Sequence, residues 1–258
     1  ILDIDINQIN IIQGNSMEIP KGSGTGGSRS MPVGGNALFL ASKKFLKNTQ
    51  ELLAKQLDTN PKNIIYKKGF FKFDDKNYSF SDLTKLFDNL ESLNINADWT
   101  PKFGTYTYPN GTHICELEID KYTGLISILN YTVIDDFGKV INPLLLEGQV
   151  HGGIAQGIGQ ALFEETIYDN ESGQLLTGSF MDYAIPRASD MPLIKFDYNE
   201  ILCANNPLGI KGAGEAGAIG APPAVINAVC NALNIDHIDM PAKPEKVWKI
   251  LSNNNSIV

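Results

Sequence analysis

The chain has 258 residues, of which 43% are hydrophobic, so it is long enough for one large or two small domains with buried cores. Its formal net charge of −8 argues against binding to nucleic acid or to an anionic membrane, since both need a basic surface. We find no apolar run near the length of about 20 residues that spans a bilayer and no secretory signal. A cytoplasmic protein without a membrane span is therefore expected.

The cysteines and histidines are widely separated, and they form neither a zinc-ligand pattern nor an even set for disulfides. Cys115, Cys203 and Cys230 are expected to be reduced thiols in the core. A metal ion held by protein side chains is not expected, because no set of nearby ligands is present.

The first residues alternate between apolar and polar side chains, which predicts a strand over 1–13. Because this run starts directly at Ile1 without a methionine, we expect a fragment or the smaller product of a split subunit. In chain order, the next predicted elements are a glycine- and serine-rich loop over 18–35, an amphipathic helix over 36–57, a β-hairpin over 63–80 that turns at 74–77, and a short helix over 79–90 capped by Ser79 or Ser81.

The second half of the chain mixes strands and helices without a strict βαβ repeat. In chain order, the predicted elements are a hairpin over 111–120 and 125–138, a helix over 142–165 that begins at about Leu144, a strand over 191–201, and a helix over 222–234 that begins at Pro222 and Pro223. This order predicts an α+β fold, with mixed sheets and packed helices, in one compact domain over 1–258.

Two loops match the G-x-G-x-x-G pattern of dinucleotide-binding folds, one at Gly22, Gly24 and Gly27 and one at 212–217. No helix is predicted directly after the first match, and Glu215 within the second would repel a pyrophosphate. A Rossmann site is therefore disfavoured. The segment "GTGGSRS" still offers backbone N–H groups, hydroxyls and Arg29, which suit a bound anion; a flexible surface loop is the alternative.

The predicted helix over 142–165 contains five glycines, although each costs about 1 kcal/mol in a helix relative to alanine. Either another element approaches this helix closely or a ligand lies against it. Three glutamines, Gln149, Gln156 and Gln160, offer amide groups nearby and slightly favour the ligand.

A single carboxylate, Glu215, stands in the stretch "NPLGIKGAGEAGAIGAPPAVINAV", among glycines, alanines and prolines. If Glu215 is buried in apolar surroundings, its pKa is raised and it becomes a better proton acceptor near neutral pH. A solvated glutamate at a loop tip is the alternative.

These segments together resemble the C-terminal part of the molybdopterin-binding subunit of molybdenum hydroxylases, the family of xanthine dehydrogenase, aldehyde oxidoreductase and aerobic carbon monoxide dehydrogenase, with bacterial members. The resemblance runs in family order through "GSGTGGSRSMPVGG", "DDFGKVINPLLLEGQVHGGIAQGIGQALFEE", "GSFMDYAIPRASDMP", the Glu215 stretch and "IDMPAKPEKVW". It covers nearly the whole chain and is weakest over residues 50–101.

The resemblance implies that Glu215 is the general base of a hydroxylation in which water supplies the oxygen. It further implies that the molybdenum is held by the pterin rather than by side chains, and that the pterin is often in its cytosine dinucleotide form. The residues that it places at the cofactor are Gly26, Gly27, Ser28, Arg29, Ser30, Gln149, Lys211, Gly212, Ala213 and Gly214.

The resemblance also implies partners, because electrons leave such enzymes through iron–sulfur clusters and FAD on other subunits, often within a dimer of heterotrimers. The preceding half of the large subunit, with its arginine-containing active-site loop, is absent from this chain, so activity is expected only with that half. The substrate is expected to be an aldehyde, an N-heterocycle or a similar small molecule. Carbon monoxide is disfavoured, because Ala216 and Gly217 follow the glutamate. The alternative is a non-catalytic cofactor-binding or assembly module, or a degenerate product of a split gene.

Overall fold

The computed structural model describes residues 1–19, 21–22, 24–87 and 106–254. The chain divides into two compact units, one of Ile1–Thr105 with Asn206–Leu208 and one of Tyr106–Asn205 with Gly209–Val258. Each unit has a hydrophobic cluster of its own. The expectation of one compact unit is therefore corrected, because the apolar side chains are gathered into two cores rather than one.

Within its described residues, the first unit contains two α-helices and a three-stranded antiparallel sheet, and Leu53 and Phe71 lie at the centre of its core. Its elements are α1 (Asn36–Gln56), β1 (Ile65–Lys67), β2 (Phe70–Phe73), β3 (Lys76–Tyr78) and α2 (Phe80–Leu86). The α1 and α2 predictions are confirmed. Ser79 caps α2 in a reciprocal capping box with Asp82. α2 ends at Leu86, earlier than predicted, because Phe87 is extended, and residues 88–90 lie outside the described residues.

Three local predictions in the first unit are corrected. Residues 1–13 form no strand, only a 3₁₀ turn at Ile6–Gln8, because alternation sets the faces of a strand but supplies no partner strand. The hairpin is a three-stranded meander, since Lys68 and Gly69, both at positive φ, make a second tight turn. The glycine-rich loop ends earlier, because the five-residue π-helix Met31–Gly35 leads directly into α1.

The second unit is built on one mixed sheet in the order β4 (Asn110–Ile119), β5 (Ile126–Asp136) and β6 (Ile194–Asn199). β4 and β5 are antiparallel, as the hairpin prediction requires, while β5 and β6 are parallel. Alternate side chains, such as Tyr131 and Val133, point into the core. The mixed sheet confirms the α+β prediction.

The helices of the second unit are α3 (Pro143–Leu162), α4 (Ala216–Leu233) and α5 (Pro244–Asn254). The α3 prediction is confirmed, and Asn142 caps this helix by accepting from the N–H of Leu145 at 3.1 Å. α4 begins six residues before its predicted start, because Pro222 does not open the helix but is buried in its second turn. α5 was not predicted from the sequence. All three helices contribute buried residues to one cluster.

By length and composition α4 could cross a membrane, contrary to the expectation from the sequence, but Val225 and Val229 lie at the centre of the core, which accounts for its apolar character. Cys115, Cys203 and Cys230 are free thiols that are buried or half-buried, as predicted. Burial raises the pKa of Cys115 to about 11.

Candidate functional site

The segment that leads to Glu215 is fixed to the end of β5 by backbone hydrogen bonds. The N–H of Lys211 donates to the carbonyl of Phe137 at 2.8 Å, and the N–H of Lys139 donates to Gly209 at 2.9 Å. Gly138 has φ of +61°, and a Cβ there would lie 2.1 Å from the oxygen of Gly209. Only glycine allows this approach of the two chain segments.

A buried ion pair lies beside these two backbone hydrogen bonds. The ammonium of Lys211 contacts the carboxylate of Asp136, and these side chains are 9% and 6% exposed. Asp136 also accepts from the N–H of Gly138 at 2.8 Å and of Ile201 at 3.1 Å. Burial alone would raise the pKa of Asp136, but the hydrogen bonds from Lys211 and the two N–H groups outweigh it and hold the pKa below its usual value.

Two further side chains hold the segment between Lys211 and Glu215. The side-chain amide of Gln149 on α3 donates to the carbonyl of Gly214 at 2.8 Å. The N–H of Gly212 donates to the hydroxyl of Thr107 at 3.2 Å. Side chains from three separate parts of the second unit therefore hold a short stretch whose own glycines would leave it flexible.

Glu215 lies immediately before the first residue of α4, and its carbonyl accepts the N–H of Ile219 at 2.9 Å. Its backbone is therefore fixed by the start of the helix. The side chain is exposed, so of the two alternatives drawn from the sequence, burial in apolar surroundings or exposure to solvent, the structure shows exposure. The neighbouring glycines and alanines have small or no side chains and therefore cannot cover a glutamate side chain by themselves.

Four of the five glycines of α3 fall into two groups. Gly153 and Gly157 face α4, where an added Cβ would lie 2.9 Å from the backbone nitrogen of Ala218 or 2.7 Å from the Cβ of Ala221. At Gly148 and Gly152 an added Cβ would meet nothing within 4 Å. Close helix packing therefore explains the first group, while the second leaves open space on the surface of α3.

The loop with the first glycine pattern belongs to the first unit. Gly24, Gly27 and Ser28 have positive φ, and the hydroxyl of Ser30 donates to that of Thr25 at 3.1 Å. Arg29 is exposed. The helical segment follows at once, contrary to the sequence prediction. No strand precedes this loop within the described residues, so a Rossmann site stays disfavoured for a different reason.

The predicted site residues thus fall into two sets. Within the second unit the structure brings together Gln149 and the segment from Lys211 to Glu215. Gly26, Gly27, Ser28, Arg29 and Ser30 belong to the first unit. The described residues contain no group of three or more histidines, cysteines, aspartates or glutamates that could hold a metal ion.

Sequence reasoning missed Asp136 and Thr107. Asp136 carried a signal, since two consecutive acidic residues at the end of an apolar strand, followed by a glycine, are unusual in a buried position. Thr107 carried none, because a hydroxyl in a loop is common and its hydrogen-bond partner lies 105 residues away along the chain.

Comparisons with known proteins show which family this chain belongs to. The family model of the molybdopterin cofactor-binding domain matches residues 1–192. The carbon monoxide dehydrogenase large chain of Hydrogenophaga pseudoflava is 31% identical over 269 residues, covering 98% of this chain and 33% of that protein. The nicotine 6-hydroxylase large subunit of Paenarthrobacter nicotinovorans is 32% identical over 260 residues, covering 96% and 32%.

A solved structure is also similar. The crystal structure of the Cu,Mo-CO dehydrogenase in its carbon monoxide reduced state matches with a TM-score of 0.83 at 32% identity, covering 95% of this chain and 32% of that one. The chain spans about a third of the length of the relatives it matches. Because the family model covers most of its residues, the chain belongs to the molybdopterin cofactor-binding domain family.

Proposed function

We propose that this chain is the molybdopterin-binding part of a molybdenum hydroxylase, with Glu215 as the general base. The observation that carries the proposal is the fixed segment from Lys211 to Glu215, which presents one carboxylate on a backbone held by Asp136, Thr107 and Gln149. A general base must stay within hydrogen-bond reach of the proton that it accepts, so a rigid backbone suits this role.

The residues present fit the cofactor. Gly212, Ala213 and Gly214 put almost no side chain between Glu215 and a bound group, and open space lies over Gly148 and Gly152 beside Gln149. When bound, the molybdenum–pterin cofactor supplies a two-electron acceptor. Glu215 accepts the proton of the water that becomes the new hydroxyl, and Gln149 keeps the carbonyl of Gly214 in place.

The glycine-rich loop of the first unit is proposed to hold the anionic part of the cofactor. Gly26, Gly27, Ser28 and Ser30 offer backbone N–H groups and hydroxyls, and Arg29 offers a guanidinium that suits a phosphate. Open space surrounds the α-carbons of Gly26 and Gly27. This chemistry agrees with a cytosine dinucleotide form of the pterin, whose pyrophosphate needs such donors.

The rest of the assembly is proposed from the family. It consists of the remaining part of the large subunit, an iron–sulfur subunit and an FAD subunit, in a dimer of heterotrimers in the cytoplasm. We propose an aldehyde or an N-heterocycle as substrate. The relatives include the nicotine 6-hydroxylase large subunit, and the structural neighbours include quinoline 2-oxidoreductase from Pseudomonas putida 86, at 30% identity and a TM-score of 0.72; both are named after an N-heterocycle.

The test is Glu215→Gln in the full assembly purified from its host, assayed on aldehydes and N-heterocycles. Loss of the general base is expected to lower kcat by about 10²–10⁴-fold while molybdenum and cytosine nucleotide stay bound. Glu245→Gln is the matched control, since Glu245 is an exposed glutamate on α5 and should leave kcat unchanged.

Two outcomes would overturn the proposal. Turnover by Glu215→Gln at the wild-type rate would remove Glu215 from the chemistry. Absence of molybdenum and nucleotide from the wild-type assembly would leave the chain as a non-catalytic module or a degenerate product.

A further inference from the structure

The ion pair between Asp136 and Lys211 is more buried than the other lysine–carboxylate pairs in the described part of the second unit. Its side chains are 6% and 9% exposed, whereas Lys139 and Glu200 are 49% and 35% exposed. An exposed pair contributes little to stability, but removal of one partner from a buried pair leaves a charge without compensation. A buried pair therefore fixes its two backbone segments relative to each other much more strongly.

The segments that this pair joins are the end of β5 and the start of the Glu215 segment. Asp136 is the last residue of β5, and its carboxylate is also held by the N–H groups of Gly138 and Ile201. Lys211 is four residues before Glu215, and Gly212 and Gly214 lie between them. Because those glycines give little stiffness, the position of Glu215 depends on its anchors at either end.

We propose that Asp136 is a positioning residue for Glu215 and that it acts through Lys211. This inference rests on the proposed function, because it gives a role to residues that hold the proposed base. It also changes the assignment of Lys211, from a residue that binds the cofactor to one that anchors the segment. The ammonium of Lys211 is buried against the carboxylate of Asp136, which leaves its charge compensated within this chain.

The experiment uses the full assembly with Lys211→Met, Asp136→Asn and the double variant. Lys211→Met keeps the length of the side chain and removes its charge, while Asp136→Asn keeps an acceptor for the two backbone N–H groups. Lys243→Met is the matched control, because Lys243 pairs with Glu165 in the same unit at intermediate exposure, and neither residue belongs to the segment from Lys211 to Glu215. The readouts are kcat, KM, molybdenum content and amide hydrogen exchange of residues 212–215.

If Asp136 positions Glu215 through Lys211, each single variant lowers kcat by about 10²-fold, which is the effect of a small misplacement of a catalytic group. KM and molybdenum content stay near the wild-type values, and exchange at residues 212–215 becomes about tenfold faster. The double variant has nearly the same kcat as either single variant, because both substitutions break one contact. Lys243→Met behaves like the wild type.

Three results would overturn the inference. The first is loss of molybdenum from Lys211→Met but not from Asp136→Asn, which would show that Lys211 holds the cofactor. The second is a double variant whose kcat is lowered by the two single-variant factors multiplied together, because that would show that the two substitutions act independently. The third is unchanged kcat and exchange in Asp136→Asn, which also decides the case if Lys211→Met does not assemble. Failure of the proposed function is distinguishable, because Glu215→Gln would then retain turnover whatever these variants do.

Discussion

At the scale of single residues, the site depends on one carboxylate and on the small residues around it. Gly217, two residues after Glu215, lies against α3, where an added Cβ would be 2.5 Å from the carbonyl oxygen of Val150. Gly212 is buried, while Gly214 and Glu215 are exposed. The small residues around Glu215 thus have separate roles, because some allow close packing and others leave space at the proposed base.

Asp136 gives a prediction about pH at this scale. Its pKa is below the usual value in the folded chain, so it stabilises the fold above the unfolded pKa of about 3.9. That contribution is lost as the pH falls through the folded pKa. We therefore expect Asp136→Asn to unfold with a shallower dependence on pH below about pH 4 than the wild type.

Urea unfolding between pH 2 and pH 7, followed by circular dichroism, measures this dependence. Asp82, Asp169, Glu200 and Glu245 also have lowered pKa values and contribute to the acid dependence of both proteins. The difference between the two curves isolates Asp136. Parallel curves over the acid range would contradict the prediction.

At the scale of elements, the contact between α3 and α4 controls where Gln149 and Glu215 lie. Gly153 and Gly157 on α3 meet Gly217 and Ala221 on α4, so the two backbones approach closely. Each helix also carries one half of the site, since Gln149 is on α3 and Glu215 directly precedes α4. The spacing of four between small residues on each helix permits this approach.

Two alanine substitutions on α3 test this packing. Gly153→Ala puts a Cβ 2.9 Å from the backbone nitrogen of Ala218, so we expect it to lower the free energy of unfolding by about 1–3 kcal/mol. Gly152→Ala is the matched control, because its Cβ meets nothing within 4 Å, and it should raise stability by up to about 1 kcal/mol. Urea midpoints of the two variants should move in opposite directions, and a shift in the same direction would be evidence against the packing.

The agreement between prediction and structure also differs from element to element. α1, α3 and the β4–β5 hairpin were predicted because their periodicity is long and their ends carry turn or cap residues. Residues 1–13 have a clear alternation and yet no strand, since pairing depends on another segment. The start of α4 was missed because glycine and alanine at 216–221 carry little pattern, and two prolines in the chain suggested a later start.

At the scale of the whole molecule, the two units have separate cores, and the first unit includes Asn206–Leu208 from a distant part of the chain. The side chain of Asn36 explains why Asn206–Leu208 belong to this unit. It is buried, it donates to the side chain of Asn206 at 3.1 Å, and it accepts the N–H of Leu208 at 2.9 Å. Contacts of this kind cannot be found from local patterns.

The exposed apolar residues give a prediction about the isolated chain. Phe180 and Met181 are 87% and 93% exposed, which is unusual for neighbouring large apolar side chains. We expect the isolated chain to self-associate in sedimentation velocity and the variant Phe180→Ser/Met181→Ser to shift toward the monomer. The same variant should lower the yield of the full assembly, because these side chains are proposed to be buried against its other parts.

A matched control is Asp182→Ser, at the exposed position next to Met181. It should leave the sedimentation profile and the yield near those of the wild type. A wild-type chain that sediments as a folded monomer would contradict the prediction.

The sequence by itself determined the α+β class, most of the long helices and the central hairpin, because these depend on local periodicity and on capping residues. It also pointed to Glu215, since a lone carboxylate among glycines is visible without any structure. Only the tertiary structure decided that Asp136 pairs with Lys211, that Gln149 holds Gly214, and that Gly153 serves packing while Gly152 does not. The physical reason is that each of these depends on which distant segments meet, and a local pattern carries no information about a partner tens of residues away.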